Sequence, residues 1–189
     1  MDTNELIEAM EQVAEQRLSL IHTALPATVI SFDATTCAAS VRPALTYYRS
    51  DGNTLDYPVI TGVPVFMPRA GEARITYPVK KGDSCLLIFS ERALDEWLNK
   101  TEEHDPRRFD LTDACCFVGM CPAQSISSEN VELINGGTAI SLTPDKTVNI
   151  TGDVNITGKV TVSGDVTAGG VSLISHTHTC PDGVTSAPN

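Results

Sequence analysis

From Val148 onward the chain repeats every six residues, as VNITGD, VNITGK, VTVSGD and VTAGG. Val148, Val154, Val160 and Val166 open the repeats, Ile150, Ile156 and Val162 follow two places on, and Gly152, Gly158, Gly164 and Gly170 two places after those. All stand at even positions, whereas the odd ones hold Asn149, Thr151, Asp153, Asn155, Thr157, Lys159, Thr161, Ser163 and Asp165. Side chains on a strand alternate between faces, so one face is apolar and the other polar. The β-branched content favours strand over helix, and a glycine at each boundary permits a tight bend or a close backbone approach. A short fixed period of this kind belongs to a β-solenoid or β-helix.

A lone chain can hardly bury such a face. A single-chain solenoid stacks several coils, and these repeats supply little more than one. Burying the Val and Ile side chains returns less free energy than ordering their backbone costs. The expected arrangement is an intertwined homotrimer, each chain giving one wall of a β-prism whose axis is filled by Val, Ile and Gly. The alternative is an edge hairpin on an ordinary domain.

His176-Thr177-His178 follows the repeat. On a strand these two histidines point to one side, with the parity of the apolar column, although a bulge at Gly169-Gly170 would flip the register. Two histidines per chain are too few for a tight metal site. Three chains bring six imidazoles to one axis, a cage of six nitrogens. Zinc prefers four tetrahedral ligands, so iron, nickel or cobalt is the expected metal. The alternative is a pair of histidines in a polar loop.

The net charge is −11, tripled in a trimer, which disfavours nucleic acid and an anionic membrane surface as partners. No apolar run is long enough to span a bilayer, and the acidic, amphipathic first twenty residues do not resemble a signal peptide. The cysteines, Cys37, Cys85, Cys115, Cys116, Cys121 and Cys180, form no CxxC pair, so no zinc ribbon or disulfide framework is expected, and synthesis in a reducing cytoplasm fits.

The expected divisions are an N-terminal helix at 1–22, a barrel domain at 23–122, connecting strands at 123–146, the shaft and tip at 147–179 and an apex cap at 180–189. The helix, from Thr3 to Leu20, is capped by Asp2 or Thr3 and carries Leu6, Met10, Val13, Arg17 and Leu20 near one stripe. It packs either on its own domain or on a neighbouring protein. In the barrel domain, strands are expected at Ala27 to Phe32 and Cys37 to Arg42, continuing through Leu45, Tyr47 and Tyr48. A turn follows at Ser50-Asp51-Gly52-Asn53, and an edge strand is broken by Pro58 and Pro64. Ala73 to Tyr77 reads as a strand, Ser84 to Phe89 as a fully buried one, and Arg92 to Lys100 as a short helix. About five strands with a late helix suit an OB-type barrel. Arg107, Arg108, Asp110 and Asp113 read as a solvated loop with capping carboxylates, or as an ion-pair cluster between chains. Val131 to Ile134 and Thr138 to Leu142 form a hairpin about Asn135-Gly136-Gly137. Pro144-Asp145-Lys146 and Pro181-Asp182-Gly183 are turns, the second folding the tail back over the apex.

Leu25-Pro26, VISFD, VRPAL, YPVITGVPVFMP, ITYPVKKGDSCLLIFSERALDEW and RRFDLTDACCFVG together resemble the N-terminal domain of the phage Gp138-like, membrane-puncturing tail-spike family, over roughly residues 23–122. The HxH tip resembles that of phage central spikes more widely. The resemblance implies trimeric spikes at the centre of contractile-tail baseplates, with an OB-like domain, an intertwined β-helix and an iron ion held by histidines, here His176 and His178. Phe109 stands where the family commonly shows His.

The fold expected is therefore mainly β: an N-terminal helix, an OB-like barrel, and an intertwined trimeric β-helix ending in a metal-bound tip. The expected function is a non-enzymatic central spike in the virion that pierces the host outer membrane, partnered by a baseplate hub or tail tube protein and carrying one iron per trimer on six histidine nitrogens. Catalytic motifs such as GxSxG, HExxH and a P-loop are missing, Glu102-Glu103 do not make a glycosidase pair without a cleft, and His22 and His104 lie in other segments from the tip. Other readings are a receptor-binding fibre, a related contractile injection device, or a metalloenzyme using the histidine pair.

Overall fold

The computed structural model describes residues 2–48, 52–100, 105–120 and 125–187. The chain divides into two compact units, Met1–Gln124 and Ser125–Asn189.

The first unit opens with helix α1, Thr3–Leu18. The Asp2 N–H donates to Glu5 Oε2 at 2.8 Å, an N-terminal cap. Leu20 N–H turns back to Arg17 O at 3.2 Å, so the helix stops two residues short of the sequence expectation. Strands β1 (Ala24–Asp33), β2 (Ala38–Pro43), β3 (Thr46–Tyr48), β4 (Thr54–Asp56), β5 (Ile60–Pro64), β6 (Arg69–Ala70), β7 (Ala73–Arg74) and β8 (Ser84–Phe89) follow, then helix α2 (Leu94–Asn99) and β9 (Ala114–Val118).

Five of these strands form one antiparallel sheet in the order β5-β2-β1-β8-β9. Its two edges approach each other: Val65 bridges Cys116 in parallel, and Phe66 N–H donates to Cys116 O at 2.9 Å. The sheet is thus a curled half-barrel, compatible with an OB-like fold. Two irregularities bend it, one in β1 between Val29 and Ser31 and one where β5 passes β2 between Ala39 and Val41. Gly62 sits in the second with φ of 69°, a conformation that costs glycine nothing.

The concave face supplies the core: Ala27 and Val29, Ala39 and Val41, Ile60 and Val63, Cys85, Leu87 and Phe89, Ala114 and Cys116. Strand β8 is therefore not buried throughout. Cys85, Leu87 and Phe89 point inward while Ile88 is exposed, because a curled antiparallel sheet covers one face only. Two further expectations change. Tyr47 and Tyr48 leave the sheet after Pro43 and pair with Leu55 and Thr54 in a separate hairpin; the predicted turn before Gly52 lies partly outside the described residues. The strand at Ala73 shrinks to the β6–β7 hairpin, bracketed by Pro68 and Pro78, which have no N–H to extend a ladder.

His22 packs its ring on Tyr57 and Phe89, with centroids 5.7 and 5.5 Å away. That burial lowers its pKa below the ordinary 6.5, against an opposing pull from Asp110. An unfolded chain then binds the proton more readily than the folded one, so stability is full above pH 6.5 and falls as the pH drops toward the folded value. The melting temperature is expected to decline between pH 7 and pH 5, and His22→Phe to flatten that decline; an unchanged slope in the variant would remove His22 as its source.

In the second unit, β10 (Val131–Asn135), β11 (Thr138–Leu142) and β12 (Val148–Thr151) form an antiparallel sheet in chain order. Gly136-Gly137 makes the predicted two-residue turn, with Gly136 at φ 60°. Register aligns Leu133, Ile140 and Ile150 across the three strands, and Val131, Leu142 and Val148 beside them. All six are exposed. The repeat was expected as strand throughout, but within one chain only 148–151 joins a ladder; residues 152–166 form no strand, and at their end Asp165 and Val166 accept hydrogen bonds from the turn at Leu173. Val154, Ile156, Val160, Val162 and Val166 are exposed as well. Two short hairpins follow, β13 (Thr167–Ala168) with β14 (Val171–Ser172), and β15 (Thr179–Cys180) with β16 (Gly183–Val184). No helix among the described residues is long and apolar enough to cross a membrane.

Candidate functional site

The histidine pair lies between β14 and β15. Asp165 sets the segment that precedes it. Its Oδ1 accepts the N–H groups of Leu173 at 3.1 Å and Ile174 at 3.3 Å. A hydrogen bond from the Ser172 side chain, supported by those backbone N–H groups, holds the Asp165 carboxyl below its usual range. The turn thus pinned carries His176, whose Nδ1 is 2.9 Å from Ser172 O and 3.2 Å from Leu173 O. Carbonyl oxygens only accept, so Nδ1 bears the proton and the Nε2 lone pair is left for a ligand. Histidines that bind metals are held in this way by a backbone carbonyl behind the ring.

His178 is fixed through its backbone. Its N–H donates to Thr185 Oγ1 at 2.9 Å, and Thr185 N–H donates to His178 O at 2.9 Å. The tail therefore folds back on the tip through the turn at Pro181-Asp182. The two rings lie with centroids 5.2 Å apart and planes at 86°. The pair was expected on a strand, with parity placing both rings on one side. Both histidines sit in irregular backbone after a turn at 173–175, not on a strand, so the turn rather than strand parity brings them together.

The donor set fits a metal of the kind that takes imidazole nitrogen. Within one chain, however, no third His, Cys, Asp or Glu among the described residues joins the pair into a metal-binding group. Among the described residues, one chain therefore offers these two imidazoles alone. Sequence reasoning missed Asp165, Ser172 and Thr185 as supports. The available signal was an aspartate closing the last full repeat just ahead of Gly169-Gly170.

A second polar cluster lies in the first unit. Arg107 Nε meets Asp105 Oδ2 at 2.7 Å, Nη2 meets Asp95 Oδ2 at 3.0 Å, and Nη1 donates to Thr112 Oγ1 at 2.8 Å. Nη1 also lies 3.5 Å from Oδ2 of Asp113, a residue only 1 % exposed. Asp113 Oδ1 accepts from Leu94 N–H at 2.8 Å, anchoring the start of α2, while Oδ2 accepts no hydrogen bond among the described residues. The neighbouring carboxylates raise the Arg107 pKa, Asp105 first, and hydrogen bonds from Arg107 and Thr112 respectively hold Asp105 and Asp110 below the usual carboxylate range. The capping carboxylates are as expected, but the loop is not simply solvated: Asp113 is buried, and the ion pairs seen are within one chain. Glu102, Glu103 and His104 lie outside the described residues, as does Cys121. Cys37, Cys85, Cys115 and Cys116 are free thiols.

Residues 25–119, from Leu25 in β1 to Gly119 just past β9, match the family model described as the phage protein Gp138 N-terminal domain. No curated protein matches the chain. The match spans half the sequence and takes in the whole curled sheet, α2 and the Arg107 cluster. It also covers every sequence block that carries the resemblance, from Leu25-Pro26 to RRFDLTDACCFVG. The chain belongs to the Gp138 N-terminal domain family of phage proteins.

Proposed function

We propose that three copies of this chain form the central spike of a contractile phage tail baseplate, a structural part of the virion that pierces the host outer membrane when the tail contracts. Membership of a phage family supports a virion component. The observation that carries the spike reading is the apolar face of the second unit. Val131, Leu133, Ile140, Leu142, Val148 and Ile150 align on one side, Val154 to Val166 continue the pattern, and none of the described residues buries them. Each is worth ~1.5–3 kcal/mol if fully buried. Two further copies, wound about a common axis, would bury this face and give the backbone of 152–166 strands to pair with. A dry, close-packed column of that kind transmits force without buckling. The half-barrel would form the collar that meets the baseplate hub.

At the tip, His176 and His178 from three chains would hold one iron ion through six nitrogens. Such an ion supplies a crosslink between chain ends and, with all positions filled by protein, no open site for a substrate. Asp165 and Ser172 would keep the His176 ring in place.

Elemental analysis of the purified full chain tests this. One iron per three chains is expected, lost in His176→Ala/His178→Ala while the three-chain mass is kept. Wild-type protein free of metal after expression with iron, or iron unchanged in the double variant, would refute the tip assignment.

A further inference from the structure

Helix α1 faces the wrong way for a helix that stabilises its own domain. The groove between it and the β3–β4 hairpin, about 720 Å³, is lined by Glu8, Glu11, Gln12 and Glu15 on the helix side and by Tyr47 and Tyr48 opposite. The charged side thus looks inward. Leu6, Met10 and Val13 are exposed, Met10 by 65% and Val13 by 57%, and no residue of the helix is buried. A 16-residue helix without tertiary packing is marginal in water. Something outside the unit must cover the apolar side.

The spacing identifies the cover. Thr3, Leu6, Met10, Val13, Arg17 and Leu20 are separated by alternating steps of three and four, the a and d positions of a coiled-coil seam. Thr3, Met10 and Arg17 take a; Leu6 and Val13 take d, and Leu20 stands at the next d place in the turn just past the helix. The flanking e and g positions hold Ile7, Ala14, Ala9 and Gln16, without a charge among them. Glu5, Glu8, Glu11 and Glu15 all fall on the outer b, c and f positions. In a symmetric assembly each copy meets its own kind, so like charges beside the seam would repel. This helix is strongly acidic, yet no carboxylate enters or flanks its seam; the single charge on it is Arg17, at the last a position, in the helix's final turn. A basic partner would instead be expected to find carboxylates next to the apolar stripe. A β-branched residue at d, Val13, leans toward three or four strands rather than two.

We infer that α1 packs against α1 of two further copies as a short parallel three-helix coil. The inference rests on the three-chain shaft proposed above, because little more than two heptads would not hold together alone. Tethering by the shaft raises the local concentration of the helices enough to close the coil.

Hydrogen exchange on the full chain, read beside its native mass, tests the coil. In the wild-type trimer the amides of 10–17 are expected to exchange about a hundredfold more slowly than in the same trimer carrying Met10→Asp/Val13→Asp. Both substitutions fall on exposed positions, so amides of the β1 and β8 core are expected to keep their protection and the mass to stay at three chains. A trimer whose α1 amides exchange as fast as the double variant would overturn the coil and leave the shaft standing; the helix would then await a different protein. A wild-type chain of single mass would overturn both.

Discussion

Ile156→Asp is expected to turn the proposed three-chain assembly into single chains. In one chain Ile156 is 62% exposed and touches no core, so an aspartate there would change the stability of an isolated chain by at most about 0.5 kcal/mol. On a shared axis the same substitution places three carboxylates in a dry column, each costing several kcal/mol in lost hydration before their mutual repulsion is added. The two situations therefore give opposite results from one variant. Native mass and far-ultraviolet circular dichroism would read them: loss of the trimer with loss of β-signal from the shaft supports the wound shaft. A variant with the mass and spectrum of the wild type would place Ile156 on an outer surface. Thr157→Asp, on the polar face of the same repeat, serves as the control and is expected to leave the assembly intact.

Arg107→Ala is expected to destabilise the first unit by about 3–5 kcal/mol, the usual consequence of stripping a buried carboxylate of its counter-charge. Its ion pairs are not equal. Asp95 is 67% exposed and Asp105 33%, so their pairs are screened and weak. Asp113, with its side chain 2% exposed, is the one left stranded. Asp113→Asn removes that charge while its carbonyl oxygen still serves the Leu94 N–H. The double variant Arg107→Ala/Asp113→Asn is therefore expected to lose clearly less stability than Arg107→Ala alone, and chemical denaturation would measure both. Equal losses in the single and double variants would show that Arg107 acts through packing or Thr112 rather than through the buried charge.

Much of this architecture was legible from local chemistry. The Asn135-Gly136-Gly137 hairpin follows from backbone angles that glycine adopts freely, and the edge position of β5 follows from its prolines. The spans of β1, β2 and β8 followed from their strand-forming residues, but an apolar run such as Ser84 to Phe89 says nothing of whether a second face is covered, which is why Ile88 was misjudged. Tyr47 and Tyr48 have strand propensity in either of two pairings, and only the tertiary fold chooses between them. That residues 152–166 form no strand within one chain agrees with the small number of repeats, too few for a single-chain solenoid. His176 and His178 stood out by spacing. The features that hold them, Asp165 on the Leu173 and Ile174 amides and Thr185 on His178, are contacts made across turns. Asp113 was missed as a buried charge for the same reason: its burial is set by the sheet and by α2 rather than by its neighbours in sequence.

The mass of the native full chain in solution tests the wound shaft most directly. A species of three times 20.2 kDa is expected, persisting on dilution because its apolar faces have no other cover. A stable, well-folded single chain of 20.2 kDa, with Val154 to Val166 still open to solvent, would contradict it.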